Sequence, residues 1–274
     1  MPSAVVGVSL KMYFGHAAGR EWIEAASALA ASTPCVADGS VELFVAPGYL
    51  QLGPALEAAA GTRLRVAAQD AAEHDAGAYT GEVSPAELAE LGVELVELGH
   101  AERRRLYGET DDIVARKTAA ALRNGLVPVL CVGEPSQGTA EEALAFATKQ
   151  VLTALFTAPP GRVIVAYEPV WAIGAARPAP VAQTRVVTAG LRRVLAELPG
   201  RSGSSVLYGG SAGPGLLTEF GDDVDGLFLG RFAHEPAALA RVLVEAATLA
   251  TGSGARTTLD ADEAGTSAGG DGER

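Results

Sequence analysis

Eight short apolar runs separated by helical segments most constrain how this chain of 274 residues can fold. The segments between the runs, such as REWIEAASALAA and DDIVARKTAAALRN, place apolar residues three and four positions apart, as amphipathic helices do. A strand–helix unit repeated eight times in about 250 residues predicts an α/β fold, a single (β/α)8 barrel. The predicted strands cover residues 4–9, 41–46, 64–69, 93–98, 126–132, 162–167, 204–209 and 225–230.

A doubly wound open sheet is the alternative reading of the same pattern. Such a sheet usually carries a glycine-rich dinucleotide turn after its first strand, and VSLKMYFG is not one. The composition changes at residue 251, where a stretch rich in Gly, Ser, Thr, Asp and Glu begins. We therefore predict a barrel domain over residues 1–250 and a disordered tail over residues 251–274.

The charge of the chain limits its partners. With a net charge of −12 and a sequence pI of about 4.8, nucleic acid and anionic membranes are excluded as main partners, because both require basic surface. Small anions remain possible ligands. Two cysteines, no basic N-terminal region and no long apolar stretch predict a protein of the reducing cytoplasm without a signal peptide.

Three chemically able side chains follow predicted strands. Lys11 follows the first, His100 the fourth and Glu168 the sixth, and catalytic groups of such barrels lie where the strands end. Each alone has a plainer interpretation, as a surface charge, a satisfied polar group or a member of an ion pair. Together they suit proton transfer beside a carbonyl: a carboxylate removes a carbon-bound proton while an imidazole and an ammonium stabilise the enediolate.

Glycine-rich turns follow the last two strands, at Gly209-Gly210-Ser211 and Gly230-Arg231. Backbone N–H groups in such turns can bind a substrate phosphate. No cluster of residues requires a redox cofactor, and His16, His74 and His234 lack metal-ligand spacing. We therefore expect no cofactor and no metal, and a small phosphorylated substrate.

Six motifs resemble triosephosphate isomerase, in family order and over nearly all of the chain before the tail. That family has the TIM-barrel fold, needs no cofactor, and acts on small sugar phosphates in glycolysis and gluconeogenesis. The motifs are GAYTGEVS (77–84), LGHAERR (98–104), CVGE (131–134), AYEPVWAIG (166–174), YGGS (208–211) and VDGLFLG (224–230).

The resemblance implies a role for each matching residue. Glu168 would be the general base and His100 the electrophile, made neutral by a helix N-terminus, as is well established for that family. Lys11 would contact the substrate, supported by Glu102. The segment AIGA, between PVW and ARPA, would be the tip of a lid that closes over the substrate. The predicted phosphate-binding backbone lies at Gly174, Ser211 and Gly230.

Four positions depart from the family pattern. Ser9 replaces the usual Asn before the lysine, Ala101 replaces the usual Ser after His100, and AARPA (175–179) replaces a Thr-Gly-Lys segment. Arg231 replaces the second Gly after strand eight, where it either binds the phosphate in bidentate fashion or reshapes the pocket. Ser9 and Arg231 are accordingly included among the predicted substrate-binding residues.

These departures leave the substrate open. The predicted reaction interconverts glyceraldehyde 3-phosphate and dihydroxyacetone phosphate through an enediolate. The alternative is an L-erythrulose 1-phosphate isomerase of tetritol catabolism, a branch in which Ser before the lysine and Gly-Arg after strand eight also occur. A non-catalytic barrel that binds a sugar phosphate is a third possibility.

Residues 69–84 are too long and polar for a plain barrel turn and resemble the family's dimer loop. A homodimer with Thr80 near the partner's site is therefore implied; the alternative is a flexible surface loop. Cys131 ends a predicted strand without a base to activate it, so it is interpreted as a buried structural thiol that supports the site.

Overall fold

The computed structural model describes residues 2–264 and shows a closed barrel of eight parallel strands. Each strand pairs with the next in sequence, and β8 pairs with β1. The predicted TIM barrel is confirmed, and every strand lies within one of the eight predicted runs. Strands β1 to β8 are, in order, Ala4–Ser9, Val41–Ala46, Leu64–Ala68, Leu95–Leu98, Val127–Val132, Ile164–Tyr167, Ser205–Tyr208 and Gly226–Leu229.

Helices surround the barrel and return the chain from each strand to the next. Over residues 2–264, α1 to α10 are His16–Ser32, Pro34–Ala37, Leu52–Ala59, Pro85–Leu91, Ala101–Tyr107, Asp111–Arg123, Ala140–Leu155, Val181–Glu197, Leu216–Phe220 and Pro236–Ala264. None of these helices is both long and apolar enough for a membrane span. Helix α10 runs past residue 250 to Ala264, and residues 265–274 lie outside the described residues. The predicted domain boundary at residue 250 and the predicted disordered tail over residues 251–274 therefore stay predictions.

Side chains at the first turns define where several helices begin. The Thr139 hydroxyl accepts from the Glu142 backbone N–H, and the Glu142 carboxylate accepts in return from the Thr139 N–H. Ser84 accepts from two backbone N–H groups at the start of α4. These caps bind N–H groups that the helix itself leaves unpaired, which fixes the residue at which each helix begins.

Two apolar layers form the core. The outer layer packs strands against helices, and the inner layer fills the barrel with Val5, Phe44, Ala46, Ala67, Leu95, Val129, Cys131, Ile164, Ala166, Leu207 and Phe228. Both faces of each strand are buried, which explains the continuous apolar runs in the sequence. Because side chains alternate along a strand, residues two places beyond an inner-layer residue also point into the barrel. This rule places Glu97 (after Leu95) and Glu168 (after Ala166) inside it.

Candidate active site

A cavity of about 530 Å³ opens where the strands end, at the C-terminal mouth of the barrel. It brings together nearly all of the predicted site residues, although they are spread over more than 200 positions of sequence. Lining the cavity are Ser9, Lys11, His100, Glu102, Glu168, Gly174, Ser211, Gly230 and Arg231. Two predicted residues lie elsewhere: Cys131 is buried, and Thr80 is on an exposed loop.

Lys11 follows β1 in a strained backbone conformation, with φ of 48°. Gln69 holds this turn, since its Nε2 donates to the carbonyl oxygens of Lys11 at 3.0 Å and Ala46 at 2.9 Å. The Lys11 ammonium donates to Glu102 Oε1 at 2.8 Å. Burial opposes its charge, but Glu102 and the more distant Glu168 outweigh that effect, so the pKa of Lys11 is raised and the group is a stable cation.

His100 caps the N-terminus of α5. Its Nδ1 accepts from the Glu102 backbone N–H at 3.1 Å, which assigns the imidazole hydrogen to Nε2. Burial, reinforced by the charge of Lys11, lowers the pKa of His100 to about 4. The ring is therefore neutral at physiological pH, with Nε2 placed 3.5 Å from Glu168 Oε2. A neutral Nε2–H in this position can donate to an oxygen of a bound molecule.

Glu168 is buried at the end of β6, only 5% exposed. Its Oε2 has no hydrogen-bond partner among the described residues. Burial, reinforced by the charge of Glu97, raises the pKa of Glu168 to about 8, although Lys11 and the Cys131 thiol act in the opposite direction. A desolvated carboxyl group that lines a cavity and has one oxygen free of hydrogen bonds has the properties of a general base.

Glu97 lies inside the barrel beneath these groups, and the sequence analysis missed it. The Ser9 hydroxyl donates to Glu97 Oε2 at 2.8 Å, and both residues are buried. Burial raises the pKa of Glu97 to about 7, against the effects of Ser9 and Lys11. A signal was present in the sequence, because VELVEL carries an acid in the middle of an otherwise apolar strand.

The segment after Glu168 is anchored at its first end by Glu134, from the CVGE motif. The Trp171 indole donates to Glu134 Oε1 at 2.8 Å, and the Tyr167 hydroxyl donates to the same carboxylate at 3.2 Å. The Val170 N–H donates to the Glu134 carbonyl oxygen at 3.0 Å. Three bonds from one residue therefore hold the start of the predicted lid.

The other end of this segment is held by Tyr208, whose hydroxyl accepts from the Ala179 N–H at 2.8 Å. Between the anchors, the Ser211 hydroxyl donates to the carbonyl oxygens of Ala172 at 2.8 Å and Ala175 at 3.1 Å. Residues 174–178 are exposed at the cavity mouth. The structure thus places the predicted lid tip between two fixed ends and beside Ser211.

The rim of the cavity is built mainly from backbone. Gly174 has a φ of 72°, which few other residues adopt, and the Arg231 guanidinium lies 3.4 Å from the place of a Cβ there. Gly209 is required by Glu168, because a Cβ on it would lie 2.6 Å from Glu168 Oε1. Arg231 is exposed and directed toward the lid tip, where its charge faces the cavity.

Comparison with known proteins agrees with this geometry. The family model described as triosephosphate isomerase matches residues 4–246. The chain belongs to the triosephosphate isomerase family. It is an isomerase of the aldose–ketose type, as the resemblance implied.

Individual relatives differ in the activity for which they are named. The chain is 47% identical over 250 residues to the L-erythrulose-1-phosphate isomerase of Pectobacterium atrosepticum, covering 90% of this chain and 96% of the relative. It is 40% identical over 238 residues to the triosephosphate isomerase of Dechloromonas aromatica, covering 84% and 93%. The triosephosphate isomerase of Thermoanaerobacter pseudethanolicus is 37% identical over 206 residues, covering 72% and 83%. Both activities therefore occur among relatives of this isomerase.

Metal binding has no support among the described residues of this isomerase, where no group of three His, Cys, Asp or Glu side chains could hold an ion. Burial raises the pKa of the Cys131 thiol well above its usual range, and the charge of Glu168 adds to this effect. Cys131 is thus a neutral thiol beneath the site, and a role as a nucleophile is not supported.

Proposed function

We propose that this isomerase moves a carbonyl group between adjacent carbons of a small ketose phosphate, with L-erythrulose 1-phosphate as the substrate. The observation that carries the reaction is the buried Glu168, which lines the cavity and whose Oε2, unpartnered among residues 2–264, lies 3.5 Å from Nε2 of a neutral His100. The 47% identity to an L-erythrulose-1-phosphate isomerase, against 36–40% for seven triosephosphate isomerases, favours the four-carbon substrate.

In the proposed mechanism, the ionised Glu168 removes the proton from C3 of L-erythrulose 1-phosphate, beside the C2 carbonyl, and returns it to C2. Because C1 carries the phosphate, the carbonyl moves to C3 and the product is a second ketose, erythrulose 4-phosphate; with a triose phosphate the same step interconverts an aldose and a ketose. The resulting enediolate carries negative charge on its oxygens. His100 gives its Nε2 proton to the former carbonyl oxygen and takes up the proton of the neighbouring hydroxyl, so the carbonyl forms on the next carbon and the imidazole is neutral again. The Lys11 ammonium lowers the energy of the anion through its charge. Glu102 keeps Lys11 in place and supplies the N–H that orients His100.

The substrate phosphate would lie at the rim of the cavity. Backbone N–H groups at Gly174, Ser211 and Gly230 are suited to its oxygens, and the Arg231 guanidinium adds positive charge. Closure of the lid tip over a bound phosphate would exclude water from Glu168 and His100. Exclusion of water protects the enediolate from losing its phosphate.

Triose phosphate is the second candidate substrate. The three residues of the proposed mechanism, Lys11, His100 and Glu168, are also the ones that the resemblance to triosephosphate isomerase implies. A non-catalytic barrel is the third candidate, and the retained Lys11, His100 and Glu168 argue against it.

The deciding experiment measures kcat/KM of the purified protein on L-erythrulose 1-phosphate and on glyceraldehyde 3-phosphate under the same conditions. We expect the four-carbon substrate to be preferred by at least about tenfold, the effect of roughly one good polar contact. Preference for the triose phosphate would reject the substrate and keep the reaction. Turnover of neither, with binding of both, would reject the enzyme.

We further propose a cytoplasmic homodimer in which the loop of residues 69–84 contacts a second copy. Met12 is 97% exposed beside Lys11, and Tyr13 and Tyr79 are also exposed, so apolar surface lies open next to the site. His74 stacks on Tyr79 with ring centroids 4.0 Å apart, which gives the loop a defined shape. Thr80 would then approach the partner's site. Sedimentation at micromolar concentration checks this, and a monomer would contradict it.

A further inference from the structure

Ser9 and Glu97 form a buried pair that the proposed mechanism does not use. Ser9 lines the cavity and Glu97 does not. Glu97 lies on β4, three strands from β1 around the barrel, and the two residues are 88 positions apart in sequence. The hydrogen bond between them therefore joins two strands that are not neighbours, through the interior of the barrel. A carboxyl group buried this deeply lowers the stability of the fold unless hydrogen bonds or opposite charges compensate for its lost hydration.

The direction of this hydrogen bond determines what Ser9 can offer to a ligand. A serine hydroxyl has one hydrogen and two lone pairs. Its hydrogen is directed to Glu97 at 2.8 Å, away from the cavity. Its lone pairs are left for the cavity side. Ser9 is thus a hydrogen-bond acceptor toward a ligand, whereas the Asn usual at this position has an amide group that can donate.

Charged groups face Glu97 from several elements of the barrel. Lys11, after β1, stabilises its ionised form, while Glu102 on α5 and Asp70 after β3 oppose it. Glu168, after β6, is in turn affected by the charge of Glu97. Glu97 therefore belongs to the electrostatic environment of the base as well as to the hydrogen bond with Ser9.

We propose that Glu97 is a positioning residue which, by accepting the Ser9 hydrogen, makes Ser9 an acceptor for the terminal hydroxyl of the substrate. The proposal rests on the proposed function, in which the phosphate lies at the exposed rim. The opposite end of the substrate then reaches the buried wall where Ser9 lies. L-Erythrulose 1-phosphate has a hydroxyl on its last carbon, which is the donor that this wall requires.

A double-mutant cycle tests whether Glu97 acts through Ser9. We expect Ser9→Ala and Glu97→Leu each to lower kcat/KM for L-erythrulose 1-phosphate by about tenfold. At pH 9.5, where Glu168 is ionised in every variant and the lost charge of Glu97 no longer changes its protonation, the double variant should be no worse than either single variant, because both substitutions remove the same contact. A double variant impaired by about a hundredfold would show independent effects and overturn the proposal.

Glu97→Gln is the matched control, since it removes the charge but keeps an oxygen that can accept from Ser9. We expect its KM to stay within about threefold of the parent value, because the Ser9 orientation is retained. We also expect the pH midpoint of its kcat/KM profile to fall by roughly one unit, because a negative charge near Glu168 is lost. Ser9→Ala should leave that midpoint in place. A Gln variant as impaired as the Leu variant would contradict the acceptor role.

The substrate contact itself is tested with the 4-deoxy analogue of L-erythrulose 1-phosphate. The parent protein should use the analogue at least about tenfold less efficiently than the hydroxylated substrate. This preference should disappear in Ser9→Ala and in Glu97→Leu, with folding of each variant checked by circular dichroism. A preference that is unchanged in both variants would overturn the proposal.

Failure of the proposed function gives a different pattern. A parent protein that turns over glyceraldehyde 3-phosphate but not L-erythrulose 1-phosphate would reject the substrate and, with it, the hydroxyl contact. The cycle measured on the triose phosphate would still decide whether the two residues act as a unit. A parent protein inactive on both substrates would overturn this proposal together with the proposed function.

Discussion

The floor and the rim of the cavity are built in different ways. The floor consists of Lys11, His100 and Glu168, with Glu97 beneath it, and it uses buried or half-buried side chains that follow strand ends and influence one another's charge. The rim consists of Gly174, Ser211, Gly230 and Arg231, and it uses mainly backbone from the loops after β6, β7 and β8.

This difference assigns the two parts of the cavity to different tasks: the floor to the reaction and the rim to the choice of substrate. The charge of each floor residue shifts the pKa of another floor residue, so a substitution there alters the charge state of its neighbours. In the proposed function, the rim binds the phosphate, which is the end of the substrate that does not react, and Arg231 belongs to this rim. We therefore expect floor variants to change kcat and rim variants to change KM.

Glu168→Asp provides the largest effect expected of the floor. The shorter side chain withdraws the carboxylate by one methylene from the reacting carbon, while the charge and the buried setting remain. We expect kcat to fall by at least about 10²-fold with KM within about threefold of the parent. Steady-state kinetics on L-erythrulose 1-phosphate measures both values. A variant with parental kcat would show that Glu168 is not the base. The proposed difference between a catalytic floor and a substrate-binding rim would then be wrong.

The pH dependence of the floor comes next in size. Because the pKa of Glu168 is raised to about 8, its ionised, basic form is the majority form only above that pH, and its fraction increases as the pH approaches 8. We expect kcat/KM to rise about tenfold per pH unit between pH 6.5 and 7.5 and to level off above about 8.5. Over this range the substrate phosphate is mostly dianionic. A flat profile from pH 6.5 to 9 would contradict a buried, protonated Glu168 in the free enzyme.

Arg231→Gly should show the separate character of the rim. Loss of the guanidinium removes a charge-assisted contact to phosphate, so KM should rise by about tenfold while kcat changes by less than about threefold. Arg241→Ala, at an exposed position of α10, is the matched loss of charge and should change neither value. A fall in kcat as large as that of Glu168→Asp would mean that rim and floor are one unit.

Glu168→Gln tests the smallest effect, which is the loss of folding stability caused by burying the Glu168 carboxylate in the floor. Since the folded-state pKa of this carboxyl is raised, the folded protein binds more protons than the unfolded chain between about pH 4.5 and 8, and its stability falls as pH rises through that range. The amide avoids this loss, so we expect the free energy of unfolding to increase by about 1–2 kcal/mol at pH 8.5 and by less at pH 5. Urea unfolding at both values measures it.

The matched control for that stability experiment is Glu21→Gln, at an exposed position of α1. We expect it to change the free energy of unfolding by less than about 0.5 kcal/mol at either pH. A Glu168 variant that behaves like this control would mean that burial of the carboxyl carries no penalty in the folded protein.

The sequence was sufficient to predict the barrel because both faces of its parallel strands are buried, which leaves continuous apolar runs. It also predicted the residues that follow strand ends, since the topology brings all such ends to one mouth. Lys11, His100 and Glu168 were found in this way, and all three line one cavity. Their roles stay a prediction that the kinetic experiments address.

The residues that hold the site in place were harder to predict, because their partners are distant in sequence. Glu97 was read as part of an apolar run, and its bond to Ser9 spans 88 positions. Gln69 binds two carbonyl oxygens of other segments, and Tyr208 binds the backbone of Ala179. Contacts of this kind depend on three-dimensional register and leave no periodic pattern in the sequence.

The left-handed turn at Lys11 has a practical consequence for anyone who engineers this protein. With φ at 48°, position 11 is a place where glycine suits the backbone better than lysine. A library of variants selected only for thermostability would therefore be enriched in replacements of this lysine and of the acid at position 168. Its most stable members would be catalytically inactive. Selection for robustness in this scaffold has to be coupled to turnover from the first round.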